Sequence, residues 1–136
     1  MPHYSLDTTP EKLRAFANTD FDGPFIMLNM LRFKDVASYP KDHPNFGISG
    51  PDAYKIYMQQ TGPIITPLKA EMIMSGQAVA SPIAPEGEAW DKIFMIRWPS
   101  KGAFFQMLKS EEYQKIVHHR MAALLDSRLI AIVEDT

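Results

Sequence analysis

Two predicted strands of this chain are apolar on both faces, although its helices are too few to cover both sides of a sheet. In residues 25–33 (FIMLNMLRF), alternate side chains point to opposite sides of the strand, and both sets are largely apolar. Residues 90–98 (WDKIFMIRW) show a similar pattern. An antiparallel sheet with helices on one side normally exposes a polar second face. The sequence therefore predicts that a second apolar surface covers this sheet.

Hydrophobic periodicity and capping residues predict the order of the elements. The expected elements are a short helix ending near Asn18, strand 25–33, a helix from Pro51 to about Leu68 that continues through Pro63, strand 70–80, strand 90–98, short helices capped by Ser100 and Ser110, a turn at Asp126 and Ser127, and strand 128–134. This order predicts an α+β fold, a ferredoxin-like βαββαβ antiparallel sheet with an extra N-terminal helix. Two such sheets packed face to face form a dimeric α/β barrel, so we expect a homodimer.

The length of 136 residues indicates a single folded unit. We expect residues 23–136 to form one dimeric α/β-barrel domain and residues 1–22 to be an N-terminal helical extension. Prolines and glycines interrupt residues 36–50 too often for a regular element. This stretch is interpreted as a surface insertion, with a lid over a pocket as the alternative.

Composition argues against several classes of function. The 14 basic and 16 acidic side chains are interspersed, so nucleic acid and anionic membranes are not expected partners. No stretch approaches the roughly 18 apolar residues of a membrane span, and no secretory leader is recognised. The absence of cysteine rules out disulfides and thiolate chemistry and fits a reducing compartment. A soluble cytoplasmic protein is the resulting expectation.

Several motifs along the chain resemble those of one known family. They are WDKI (90–93), WPS (98–100), SEEYQ (110–114), Arg120 and DSRL (126–129). Together they resemble the family called domain of unknown function 1330, which belongs to the dimeric α/β barrels. The resemblance extends over roughly residues 25–134, and what it implies is the fold and dimerisation.

The predicted last helix places Arg120 on the stripe that faces the core. A guanidinium cannot lose its charge, so burial requires a carboxylate, carbonyl groups or an anionic ligand. Asp126 or Asp91 is a candidate for a structural ion pair, and binding of a substrate anion is the alternative. The candidate substrate-binding residues are Arg120, Tyr54, Asp126 and Arg128.

Asn29 and Asp91 are the candidate catalytic residues. Asn29 is polar on an apolar strand face, where it either caps a backbone group or orients a substrate carbonyl inside the barrel. Asp91, beside Trp90, is the candidate base, with a salt bridge at the strand end as the alternative. Tyr54 lies on a helical stripe, where a phenol usually packs with its hydroxyl at the rim.

Three functions remain open. The first is a small-molecule-binding protein that acts as a cofactor-independent enzyme, by proton transfer, isomerisation or monooxygenase-like chemistry. The second is a non-catalytic metabolite-binding or dimerisation module. The third is a haem-binding or haem-degrading protein, but Val117 stands where an axial histidine is needed, and His118 is one position away.

His118 and His119 lie off the inward stripe and are expected at the solvated rim. No metal-binding motif or phosphate-binding loop is present, so no metal or cofactor is expected.

Overall fold

The computed structural model describes residues 4–136, and residues 1–3, the start of the predicted N-terminal extension, lie outside the described residues. The elements are α1 (Pro10–Ala17), β1 (Phe25–Phe33), α2 (Gly50–Ile65), β2 (Glu71–Gln77), β3 (Lys92–Trp98), α3 (Lys101–Lys109), α4 (Glu111–Ala123) and β4 (Leu124–Ile132). Between residues 4 and 136, no helix is long and apolar enough to cross a bilayer.

The four strands form one sheet in the order β2-β3-β1-β4. β1 pairs antiparallel with both β3 and β4, and β2 pairs antiparallel with β3. With α2 between β1 and β2 and α4 between β3 and β4, this is the α+β, ferredoxin-like arrangement that the sequence predicts.

The core lies between one face of this sheet and the helices. Phe25 and Leu31 of β1 are 1% exposed, and Phe94 of β3 is 2% exposed. The ring of Tyr54 of α2 packs in a tilted arrangement against that of Phe94, with 6.3 Å between ring centroids. Both long helices therefore cover the same face.

The opposite face of the sheet is apolar at its centre, and no helix of residues 4–136 lies on it. Leu28 of β1 lies directly between Met95 of β3 and Ile130 of β4. Ile130 is 46% exposed, and Met74 on the edge strand β2 is 40% exposed. This surface, centred on residues 28, 95 and 130, is called the outer face below.

The insertion at residues 36–50 packs against the end of α4. The backbone N–H groups of Lys34 and Ser38 donate to the carbonyls of Ala123 and Ala122, both at 2.9 Å. These carbonyls lie in the last turn of the helix, where carbonyl groups have no hydrogen-bond partner within the helix itself. The chain on either side of residue 36 therefore completes the hydrogen bonding of α4.

The first strand-forming residue after α4 differs from the prediction. β4 begins at Leu124, directly after the helix, whereas the sequence predicts a turn at Asp126 and Ser127 and a strand from residue 128. The two polar side chains resemble a turn signal, but both are buried and bind a distant segment of the chain. Pro63 lies inside α2, as predicted, although this helix ends at Ile65 and not at Leu68.

Candidate functional site

A cavity of about 650 Å³ lies between the helix-facing side of the sheet and the helices. Its volume is within the range typical of small-molecule sites. One wall is strongly apolar and is formed by Phe16, Met27, Phe94, Trp98, Phe104 and Met107. Most of these residues are also core residues, so the cavity is a continuation of the hydrophobic core.

Three tyrosine side chains line the cavity from the two long helices. The hydroxyls of Tyr57 and Tyr113 are 2.8 Å apart and hydrogen-bonded to each other. The hydroxyl of Tyr54 makes no hydrogen bond to residues 4–136. Every fully buried polar side-chain atom of these residues has a hydrogen-bond partner, so the unpartnered Tyr54 oxygen keeps some accessible surface. Tyr54 can therefore donate to a molecule inside the cavity.

Burial raises the pKa of each of these three phenols above its usual value. The positive charge of Arg120 acts in the opposite direction on the pKa of Tyr54, Tyr57 and Tyr113, but burial is the larger effect. All three phenols are consequently neutral at physiological pH. They are hydrogen-bond donors for an anionic or carbonyl oxygen, and they are not bases.

Arg120 lines the same cavity and is half-buried. Its Nη1 donates to the carbonyl of Leu6, and its Nη2 lies 3.3 Å from the hydroxyl of Ser127. The predicted structural ion pair is not formed, because Arg120 has no salt bridge to any carboxylate among residues 4–136. Its charge is held by neutral oxygens alone.

Asp126 forms its ion pair with Arg128. Its Oδ1 lies 2.6 Å from Arg128 Nη1, and it also accepts from the backbone N–H groups of Ser5 and Ser127 at 2.8 and 2.9 Å. Arg128 also lies over the ring of Trp90, at 5.0 Å from its centroid. Arg128 is among the residues around the cavity, whereas Asp126 is not.

Asn29 lies on the helix-facing side of β1 and lines the cavity. Its Nδ2 donates to the carbonyl of Met27 at 3.2 Å, which leaves the amide oxygen for another partner. The structure therefore places Asn29 beside the helices, on the side of the sheet opposite the outer face. The barrel interior in which the sequence analysis placed it is not where this side chain points.

Asp91 is not brought together with Asn29 and Arg120. It is exposed, and its Oδ2 accepts from the backbone N–H of Phe33 at 2.8 Å. It borders a second, more open cleft at the end of the sheet, together with Lys34, Lys92 and Ser75. The carboxylate thus fastens a strand end by a backbone hydrogen bond, and no salt bridge to it is formed among residues 4–136.

The histidines form a cluster away from the cavity. His119 is 6% exposed, and its Nδ1 lies 2.6 Å from the hydroxyl of Tyr39 in the insertion, so the predicted rim location is wrong for this residue. His118 is exposed and His43 stacks on Tyr39. Val117 lines the cavity, and none of the three histidines among residues 4–136 does so. Among residues 4–136, no group of three or more His, Cys, Asp or Glu side chains is arranged to bind a metal ion.

Sequence reasoning assigns no binding role to several contributors to this site. Tyr57 and Tyr113 are among them, although two tyrosines on facing helical stripes are a usable signal for a buried phenol pair. Ser127 was interpreted as part of a turn. The segment Ser5–Thr8 lines the cavity as well, and nothing in its sequence indicates this.

Comparison with protein-family models gives one match. Residues 45–135 match a model described as a domain of unknown function, DUF1330. Comparison with curated proteins found no match.

Comparison with solved structures gives matches at 34% identity and at much lower identity. A crystal structure of a protein of unknown function from Rhodopseudomonas palustris is 34% identical, with a TM-score of 0.89 over 98% of this chain and 99% of that one. A DABB family protein with a ferredoxin-like fold from Mesorhizobium loti is 9% identical, with a TM-score of 0.53 over 84% of this chain and 99% of that one. A protein from Arabidopsis thaliana is 14% identical, with a TM-score of 0.56 over 82% of this chain and 96% of that one. At these identities the last two show the fold alone.

Proposed function

This chain belongs to the DUF1330 family, and from the cavity between its sheet and helices we infer that it is a small-molecule-binding protein. The observation that carries this proposal is the composition of the cavity wall. Apolar side chains, several of them aromatic, form most of the wall of its volume of about 650 Å³, and the polar groups that reach it include Tyr54, the pair Tyr57 and Tyr113, Asn29 and Arg120. Apolar walls with a small number of oriented donors are typical of ligand sites.

In this proposal each polar group has a role. Arg120 and Tyr54 bind the polar end of the ligand, and Asn29 orients a carbonyl through its amide. Asp126 and Arg128, proposed from the sequence as substrate-binding residues, support the site from β4 by holding each other and Ser5. Asp91 is assigned the strand-end contact to Phe33 and no catalytic role.

The proposal is tested by filling the cavity and measuring the binding of a neutral fluorescent dye, Nile red. Val117 lines the cavity and the neighbouring His118 does not. We expect Val117→Trp to abolish most of the dye fluorescence and His118→Trp to leave it unchanged. Equal fluorescence in both variants would mean that the dye binds elsewhere and that this cavity is not a binding site.

We further propose that the protein is a homodimer that buries the outer face, as in a dimeric α/β barrel. Leu28, Met95 and Ile130 are apolar neighbours across three strands, and no helix of residues 4–136 covers them. An Asp at Ile130 would place a charge in that interface. The same change at Leu129, which points to the cavity side, is the matched control.

Sedimentation velocity at micromolar concentration tests this assembly. The wild type and Leu129→Asp should sediment at twice the mass of one chain, and Ile130→Asp as a single chain. A folded wild-type protein that sediments as a single chain would refute the dimer.

A cofactor-independent enzyme is the second candidate, and the unpaired hydroxyl of Tyr54 is the observation that favours it. Neutral phenols beside a guanidinium are suited to stabilise negative charge that develops on a substrate oxygen. Phenylpyruvate is a suitable probe, because its benzylic hydrogens exchange through an enol. In deuterated buffer, catalysed exchange should exceed the buffer rate and be lost in Tyr54→Phe. Exchange at the buffer rate with the probe bound would favour the non-catalytic alternative.

A further inference from the structure

The segment Ser5–Thr8, called the strap below, is fastened across the polar end of the cavity. Its anchor is Ser5, whose N–H donates to Asp126 Oδ1 at 2.8 Å and whose carbonyl accepts from the Ser127 hydroxyl at 2.7 Å. The next carbonyl, that of Leu6, accepts from Arg120. Leu6 itself packs against the edge of the core. Three polar contacts therefore hold two consecutive residues of the strap against α4 and β4.

The contact between Arg120 and Leu6 is the one that a ligand can replace. The two terminal nitrogens of the guanidinium face a carbonyl and a hydroxyl, which are both uncharged. A carboxylate binds the same pair of nitrogens in a bidentate, charge-assisted arrangement and is the stronger partner. Asp126, the nearest acidic residue along the chain, is already engaged by Arg128 and by two backbone N–H groups. Asp7, which belongs to the strap and also lines the cavity, accepts from the N–H of Thr8 and forms no salt bridge with Arg120.

The rest of the cavity indicates what such a ligand carries besides its charge. Trp98, Phe104 and Phe94 offer an apolar, aromatic wall, and the phenols add hydroxyl groups but no charge at neutral pH. An oxygen-rich, strongly hydrated anion would lose its water against this wall without compensation. A ligand with a flat apolar body and one anionic group matches both the aromatic wall and the charge of Arg120.

We propose that the ligand is a monocarboxylate with an aromatic or alicyclic body, and that its carboxylate takes the place of the Leu6 carbonyl on Arg120 and thereby releases the strap. This inference rests on the proposed small-molecule site and adds the ligand class and a gate. The strap keeps its two Ser5 anchors, so it loosens from residue 6 onwards and remains attached at residue 5.

The ligand class is tested with 2-naphthoate and its neutral isostere, 2-naphthamide, by calorimetric titration of the full chain. Hydrogen bonds to charged groups contribute enough that we expect naphthoate to bind the wild type about tenfold more tightly, or more. In Arg120→Gln this preference should fall to about onefold. Arg14→Gln, a change on the exposed surface of α1 outside the cavity wall, should retain it.

The outcomes separate this inference from the function on which it rests. Equal affinity for both probes in the wild type would overturn the carboxylate class and leave the cavity as a binding site. Binding of neither probe, together with no difference in Nile red fluorescence between the two tryptophan variants, would overturn the small-molecule site itself.

The gate is tested by hydrogen exchange over residues 5–8. Naphthoate should increase exchange in the strap, whereas naphthamide should not. Ser127→Ala keeps the charge of Arg120 but removes the anchor on the Ser5 carbonyl, so it should raise both strap exchange and naphthoate affinity. Slower strap exchange with naphthoate, or weaker naphthoate binding by Ser127→Ala, would show that the strap closes over the ligand and is not displaced by it.

Discussion

Gly50, the first residue of α2, has no space for a side chain. A Cβ atom at this position would lie 2.0 Å from the carbonyl oxygen of Lys34 and 2.8 Å from that of Ala123. Both obstacles are backbone atoms, so neither can move aside as the end of a flexible side chain can. The N–H of Gly50 donates to the same Lys34 carbonyl at 3.1 Å, which fixes the close approach.

Gly50→Ala should therefore be strongly destabilising. Overpacking a well-filled site costs about 1–3 kcal/mol, and the shift needed here also disturbs the hydrogen bonds from Gly50 to Lys34 and from Lys34 to Ala123, each contributing about 1 kcal/mol. We expect the free energy of unfolding to fall by about 3–5 kcal/mol, which is exceptional for a single methyl group.

Gly102→Ala is the matched control, because Gly102 also lies in the first turn of a helix, α3, and its nearest obstacle is at an ordinary 3.7 Å. Because alanine has a higher helix propensity than glycine, this substitution should stabilise the protein by up to about 1 kcal/mol. Urea unfolding of both variants at one protein concentration measures the two effects with opposite sign. If Gly50→Ala unfolds within about 0.5 kcal/mol of the wild type, the argument that backbone atoms exclude a side chain here is refuted.

Three further predictions concern stability. Ser110→Ala removes the hydroxyl that accepts from the N–H of Tyr113 at the start of α4, and it should lower the free energy of unfolding by about 1 kcal/mol in urea unfolding. An unchanged free energy of unfolding would show that Ser110 does not stabilise the helix as an N-cap. Burial, and then the charges of neighbouring histidines, lower the pKa of His119, so the unfolded chain binds a proton at a higher pH than the folded protein does. The contribution of His119 to stability should be complete above about pH 6.5 and decline as the pH falls below it. Tm measured from pH 7.5 to pH 5 should therefore fall in the wild type, and this part of the fall should be absent in His119→Phe. Lys55→Gln breaks an exposed pair with Asp52 of α2 at 4.0 Å and should change the free energy of unfolding by less than about 0.5 kcal/mol, so a larger loss would contradict the assignment of this pair to the surface.

The sequence predicts the fold well because the signals for it are local. Ser100 and Ser110 accept from the N–H groups three residues ahead, as the capping pattern implies. Strand 25–33 has the predicted bounds, since its alternation and the turn before it are both contained in adjacent residues. The order of strands and helices then leaves few topologies to consider.

The site is less predictable because its contacts join residues that are far apart in the chain. The hydrogen bond from Ser5 to Asp126 spans 121 residues, and that between Tyr39 and His119 spans 80. No periodicity or spacing encodes such pairs. Asp126 therefore resembles a turn residue, and the predicted partner of Arg120 is taken by Arg128.

The alternation of β4 allows two parts of the molecule to change separately. Leu129 and Ala131 point to the cavity, and Ile130 and Ile132 point to the opposite side. If the protein is the proposed ligand-binding dimer, substitutions at odd-numbered positions would alter ligand preference while the even-numbered positions preserve the contact between subunits. Duplicated copies of such a gene would then acquire new specificities without having to evolve a new quaternary structure.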